Sequence, residues 1–168
     1  MTTELKKIEQ KELNKIFENR LFRTGGRVDL SLYDLTGLDL SLIYSTGGFK
    51  GVCLYRAKLV GADLVGADLV GADLSGADLQ RANLERANLK EAYLFGSNLN
   101  HSKIDKANLE GANLRGSSLN GASFFKTNLI NANFSDCDLT GAIFDSVYTN
   151  SGTKWDRATF DSTVFSTI

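Results

Sequence analysis

Residues 62–76 read Ala62-Asp63-Leu64-Val65-Gly66, Ala67-Asp68-Leu69-Val70-Gly71, Ala72-Asp73-Leu74-Ser75-Gly76, one five-residue unit repeated three times. Working outward, every fifth residue from Leu54 to Phe144 is Leu, Ile or Phe, nineteen in succession, and Phe49 extends the register to twenty. We name this the central position. Two residues before it stands a small side chain, Ala at most repeats and Ser97, Ser102, Ser117, Thr127 or Cys137 at others. Between the two lies a mostly polar residue, Asp63 through Asp78 and then Asn83, Asn88, Asn98, Asn108 and Asn113.

A period of five is neither the 3.6 of a helix nor the 2.0 of a strand. On a helix the central residues would advance by about 140° per repeat and spread around the surface. Along one strand they would alternate faces. The pattern requires a backbone that turns a corner every five residues, and Gly, Asn and Asp at the corners suit turn conformations.

These residues resemble the pentapeptide-repeat family, whose A(D/N)LXX consensus stands here as Ala62-Asp63-Leu64-Val65-Gly66 and Ala87-Asn88-Leu89-Lys90-Glu91. The resemblance implies an all-β solenoid, a right-handed quadrilateral β-helix with four pentapeptides per coil. Central residues then stack at intervals of twenty. Face one carries Leu54, Leu74, Leu94, Leu114 and Phe134; face two carries Leu59, Leu79, Leu99, Leu119 and Leu139. Face three carries Leu64, Leu84, Ile104, Phe124 and Phe144, and face four Phe49, Leu69, Leu89, Leu109 and Leu129. At an interstrand spacing of about 4.8 Å, five coils make a rod on the order of 24 Å long. Each buried Leu or Phe contributes roughly 1.5–3 kcal/mol before chain entropy is subtracted. Phe gathers towards the C-terminal coils, so a wider or more irregular interior is expected there.

Composition fits a repeat rather than disorder. Leu 24, Ala 14, Asn 13 and Asp 13 dominate the 168 residues, and proline is absent. Coils that donate backbone N–H groups to one another have no use for Pro. Nineteen basic against twenty acidic residues give a net charge of −1, unlike the strong basic excess of a polyanion binder. No run of 18 apolar residues and no secretory signal are evident, so a cytoplasmic protein without membrane or nucleic-acid partners is expected.

Both ends leave the register. Val28-Asp29-Leu30, Tyr33-Asp34-Leu35 and Leu38-Asp39-Leu40 are three further repeats, but Leu40 and Phe49 are nine residues apart, which predicts a bulge within 43–48, at Ser45–Gly48. Downstream the pattern fails at Thr149 and resumes one residue late at Trp155, Phe160 and Phe165, predicting an excursion within 146–154. Glu4 to about Phe22 reads as an amphipathic helix, with Leu5, Ile8, Leu13, Ile16, Phe17 and Leu21 mostly on one stripe and Gly25-Gly26 as its stop. Residues 1–24 are therefore expected to form an α-helical cap on a β-helix spanning 25–168. The other end has no such helix, leaving Trp155, Phe160, Phe165 and Ile168 as a plug or a dimer contact.

The sequence offers little catalytic chemistry. His101 stands alone at a corner, and Cys53 and Cys137 lie just over four coils apart, about 20 Å, too far for a disulfide and too few for zinc. The glycines follow no nucleotide-binding pattern. No catalytic residue, cofactor or metal site is expected. Asp63, Asp68, Asp73 and Asp78 occupy four different faces, a ring rather than an acidic stripe. Glu85, Asp105 and Asp145 beside Arg86, Lys106 and Lys126 read as a solvated ion-pair ladder. The exposed apolar residues are the better lead: Val60, Val65 and Val70 belt one coil, Tyr55, Tyr93 and Phe95 share face one, and Phe125 and Ile130 lie on faces three and four.

The resemblance to the family, abundant in bacteria and especially cyanobacteria, implies a non-catalytic scaffold for an unidentified protein partner, either monomeric or a dimer through its C-terminal end. It also implies an alternative, a DNA-mimicking regulator of DNA gyrase. Those members are strongly acidic, whereas charge here is balanced and Lys and Arg sit on the acidic face.

Overall fold

The computed structural model describes residues 6–21, 29–40 and 51–166, the side chains of 17–21 excepted. Through the regular part the chain pairs with itself in parallel twenty residues later, at four positions per coil: Cys53 with Asp73, Lys58 with Asp78, Asp63 with Asn83 and Asp68 with Asn88. The same pairing continues to Asn128 with Tyr148, so the four faces hold their register throughout.

The repeat uses all five of its N–H groups. The residue before the centre donates back one coil, Asp73 N–H to Val52 O at 2.9 Å, and the central residue donates forward, Leu54 N–H to Asp73 O at 2.7 Å. The corner residue also donates forward, Arg56 N–H to Ser75 O at 3.0 Å, and the small residue after it closes the turn, Ala57 N–H to Leu54 O at 3.0 Å. The fifth N–H, just after the centre, is taken by the Asp or Asn side chain two residues earlier, as in Val65 N–H to Asp63 Oδ1 at 3.1 Å. That last bond is why the polar column is Asp and Asn. It also sharpens the absence of proline, because the regular repeat has no idle N–H to give up.

The corner residue has φ between 52° at Arg56 and 69° at Gly116. A hydrogen-bonded turn with positive φ at its third residue is a type II turn, which favours Gly there. Arg81, Arg86, Glu91, His101, Lys106 and Lys126 take the same conformation without being Gly, held by the coils on either side.

The interior is one continuous apolar column in which the central and small residues are almost fully buried. Its buried hydroxyls brace neighbouring coils: Ser117 Oγ donates to Leu94 O at 2.6 Å and Thr127 Oγ1 to Ile104 O at 2.8 Å. No buried side-chain N or O atom among the described residues lacks a hydrogen-bond partner. The phenylalanines enter without disturbing the register. Phe124 and Phe144 stack at 4.5 Å and 5°, and Phe134 meets them edge-on at 6.0 and 6.3 Å. The expected irregularity there does not occur, because rings lying parallel at the coil spacing need no extra room along the axis.

The offset at the two ends measures the insertions. Asp29, Asp34 and Asp39 pair 24 residues later, with Cys53, Lys58 and Asp63. Four residues are thus added between Leu40 and Gly51. The bulge expected at Ser45–Gly48 lies outside the described residues. At the other end Asn133 pairs with Lys154, Asp138 with Thr159 and Ile143 with Val164, all 21 apart. One residue is added after Tyr148, where the sequence places it, and β3 (Ile143–Asp145) pairs in parallel with β4 (Val164–Ser166).

The N-terminal segment differs from expectation. The helix α1 covers Gln10–Leu21, not Glu4 onward, and Lys6–Lys7 form a strand, β1, parallel to β2 (Tyr33–Asp34). Ile8 is buried against the first coil, and Leu13 carries the contact of the helix. Ile8 falls on the helical stripe by spacing alone; backbone pairing with an open coil edge outweighs it.

Candidate interaction surface

Because the coil turns central and small residues inward, whatever meets a partner must come from the other three positions. Two zones present large apolar side chains there. On face one, Tyr55, Tyr93 and Phe95 are 45%, 56% and 54% exposed. Tyr55 and Phe95 occupy the same outward column with Ser75 between them, and Tyr93 and Phe95 flank the buried Leu94.

These repeats also break the local hydrogen-bond rule. Where Asp or Asn should accept the following N–H, the chain has Cys53 before Tyr55 and Tyr93 before Phe95, and neither side chain carries a carboxylate or amide oxygen. Lys58 and Lys103 also stand where Asx would, without a carboxylate or amide oxygen, whereas two other departures are compensated. Ser118 and Ser123 replace Asx, and the acceptors come from the coil before. Asn100 Oδ1 takes Asn120 N–H at 2.8 Å, and Asp105 Oδ1 takes Phe125 N–H at 2.8 Å and the Ser123 hydroxyl.

The remaining candidates separate. Phe125 is half-buried, with the Lys106 and Lys126 ammonium groups 5.9 and 5.1 Å from its ring centroid, and Ile130 is half-buried on face four. Neither adds to the face-one group. The ion-pair ladder is only partial: Glu85 meets Arg86 at 3.7 Å and Lys106 at 3.4 Å, whereas Asp105 serves the hydrogen bonds just described and Lys126 lies over Phe125. A denser charged group forms at the corner of face one, where Asp136 lies between Arg115 and Arg157. The two guanidiniums hold its carboxyl well below the usual range, at about 2.

The second zone is the C-terminal end. Trp155 stacks on Phe134 at 4.7 Å and Phe165 on Phe144 at 5.1 Å, with Phe160 tilted against both newcomers. Phe165 is nevertheless 57% exposed and Phe160 37%, since no coil follows among the described residues. Ile168 lies outside them. Ile143, Tyr148 and Val164, exposed nearby, escaped the sequence reading. For Ile143 and Val164 the available signal was a β-branched residue in the column reserved for Asp and Asn.

His101 is exposed, its ring lying over the Gly121 corner of the next coil. Cys53 and Cys137 are both free, and burial pushes the Cys137 thiol up to about 11, far from a reactive thiolate. Among the described residues no three His, Cys, Asp or Glu side chains form a metal-binding group, and no helix is long and apolar enough to cross a membrane.

The model of the family described as pentapeptide repeats matches residues 53–145 in overlapping stretches, more than half of the chain. The chain belongs to the pentapeptide-repeat family. No curated protein matches it. Among solved structures, this pentapeptide-repeat chain is similar to Rfr23 from the cyanobacterium Cyanothece, at 30% identity over 83% of this chain and 99% of that one, with a TM-score of 0.34. It is also similar to trypsin-treated QnrB1, a plasmid-mediated fluoroquinolone resistance protein, at 22% identity over 77% and 75% of the two chains and a TM-score of 0.48. A third is HetL from the cyanobacterium Nostoc, a pentapeptide-repeat protein involved in heterocyst differentiation regulation. It is 21% identical over 92% and 93%, with a TM-score of 0.25.

Proposed function

We propose that this pentapeptide-repeat protein is a non-catalytic cytoplasmic scaffold, a right-handed quadrilateral coil capped by residues 1–24, which binds a protein partner through Tyr55, Tyr93 and Phe95. The observation that carries this reading is the Tyr93-Leu94-Phe95 repeat. It keeps the buried Leu but forgoes the Asx hydrogen bond, worth about 1 kcal/mol, to hold two rings more than half exposed. Local rules broken without structural gain tend to mark function. Half-exposed Tyr and Phe on a rigid backbone are also the side chains that anchor protein interfaces.

A photo-crosslinking amino acid at position 95 of the full chain tests this in native extract. The expected result is one discrete protein adduct that disappears when Tyr55→Ser and Tyr93→Asn are added. A fully folded protein giving no adduct, or one indifferent to those changes, would contradict the reading.

A further inference from the structure

Each interior coil is joined to the one before it through the residue preceding its centre. The N–H of that residue donates back and its C=O accepts, as Asp73 does with Val52 O at 2.9 Å and Leu54 N–H at 2.7 Å. The first described coil turns the same groups outward on Asp34 and Asp39, and no other coil among the described residues meets them. Instead Ile8 N–H donates to Asp34 O at 3.4 Å, Lys6–Lys7 pair with Tyr33–Asp34, and the Ile8 side chain points inward, 3% exposed, as a central residue would. On the next face the Gln10 carboxamide stands in for two backbone groups at once. Its Oε1 accepts Asp39 N–H at 2.8 Å and its Nε2 donates to Asp39 O at 2.9 Å.

We infer that residues 6–16 occupy the place of a preceding coil and so block a head-to-tail interface between copies of this chain. The other half of that interface is the outer face of the Trp155, Phe160 and Phe165 coil. The two ends are halves of one lattice. Among the described residues, the columns in which Leu30, Leu35 and Leu40 come first are those in which Trp155, Phe160 and Phe165 come last, and Asp29 and Lys154 share one column in the same way. A second copy arriving end-on would therefore meet apolar central residues with aromatic ones and offer parallel backbone groups at the interstrand spacing. Such a contact is heterologous and does not close, so once unblocked it would propagate into rods. The block itself is slight, one short strand and one side-chain amide backed by Ile8 and Leu13.

The test uses the full chain with Ile8→Pro, which removes the donor to Asp34 O, together with Gln10→Ala. Molar mass by light scattering should rise with concentration well beyond a dimer. The fluorescence of the single tryptophan, Trp155, should shift to the blue as its coil is covered, and micrographs should show rods. Adding Phe165→Asp should return the wild-type mass. A variant that keeps its β circular dichroism yet stays at the wild-type mass at every concentration overturns the proposal, and so does growth unaffected by Phe165→Asp. Should Ile8→Pro disrupt the first coil, Gln10→Ala alone carries the same test. Growth at the highest concentrations, suppressed by Phe165→Asp, is expected of it, and its absence counts against the block.

Discussion

Two repeats thirty residues apart, Asp63-Leu64-Val65 and Tyr93-Leu94-Phe95, have the same backbone and differ in what they turn outward. In both, the Leu is fully buried and the corner glycine has φ near 65°. In the first, the Asp carboxylate satisfies the next N–H; in the second, a Tyr stands there and two rings face solvent. The pentapeptide thus divides its work by position. The central and small residues and the corner build the coil, while the two outward positions flanking the centre can carry large exposed side chains once their hydrogen-bonding role is released.

The largest expected effect tests that the interiors are equivalent. Leu64→Ala and Leu94→Ala should each destabilise by about 2–5 kcal/mol in denaturant unfolding; a Leu94→Ala cost far below that of Leu64→Ala would break the comparison. Next come the corners. Gly96→Ala, with open space around the added carbon at φ +63°, should cost about 1–2 kcal/mol from backbone conformation alone. Gly121→Ala should cost more at similar φ, because its Cβ would sit 2.6 Å from His101 Nδ1, and His101→Ala should remove the excess. Smaller again, Asp63→Ala should lose about 1 kcal/mol with its Asx bond.

The smallest effect is that of pH. Asp136 has a lowered pKa in the folded chain, about 2, through Arg157 and Arg115. The unfolded chain therefore takes up its proton first as pH falls. Its contribution is present above about pH 4 and is lost between there and about pH 2. Asp136→Asn should flatten the acid limb of the stability profile slightly, the group being exposed.

The coil was largely legible because its rule is written at every fifth residue. Leu54 to Phe144, the insertion after Tyr148 and the outward face-one aromatics all follow from counting. The rest was hidden where a residue acts outside its own repeat. Asp105 looked like a member of a charge ladder, and only the stacking of coils reveals that it supplies the acceptor that Ser123 lacks. Lys6, Lys7 and Ile8 carry no A(D/N)L signature, and a helical stripe claims Ile8 equally well. Gln10 gave no signal at all, since a side-chain amide filling a backbone slot depends on where the helix is set down.

Substitution at position 93, followed by thermal unfolding, tests the separation of fold from recognition most directly. Tyr93→Asn restores the acceptor for Phe95 N–H, so it should be at least as stable as wild type and exceed Tyr93→Ala by about 1 kcal/mol. In a chain of this size that is about 2–4 °C in Tm. A Tyr93→Asn protein that melts below wild type, at or under Tyr93→Ala, would show that Tyr93 is there to hold the coil together, and the account would fail.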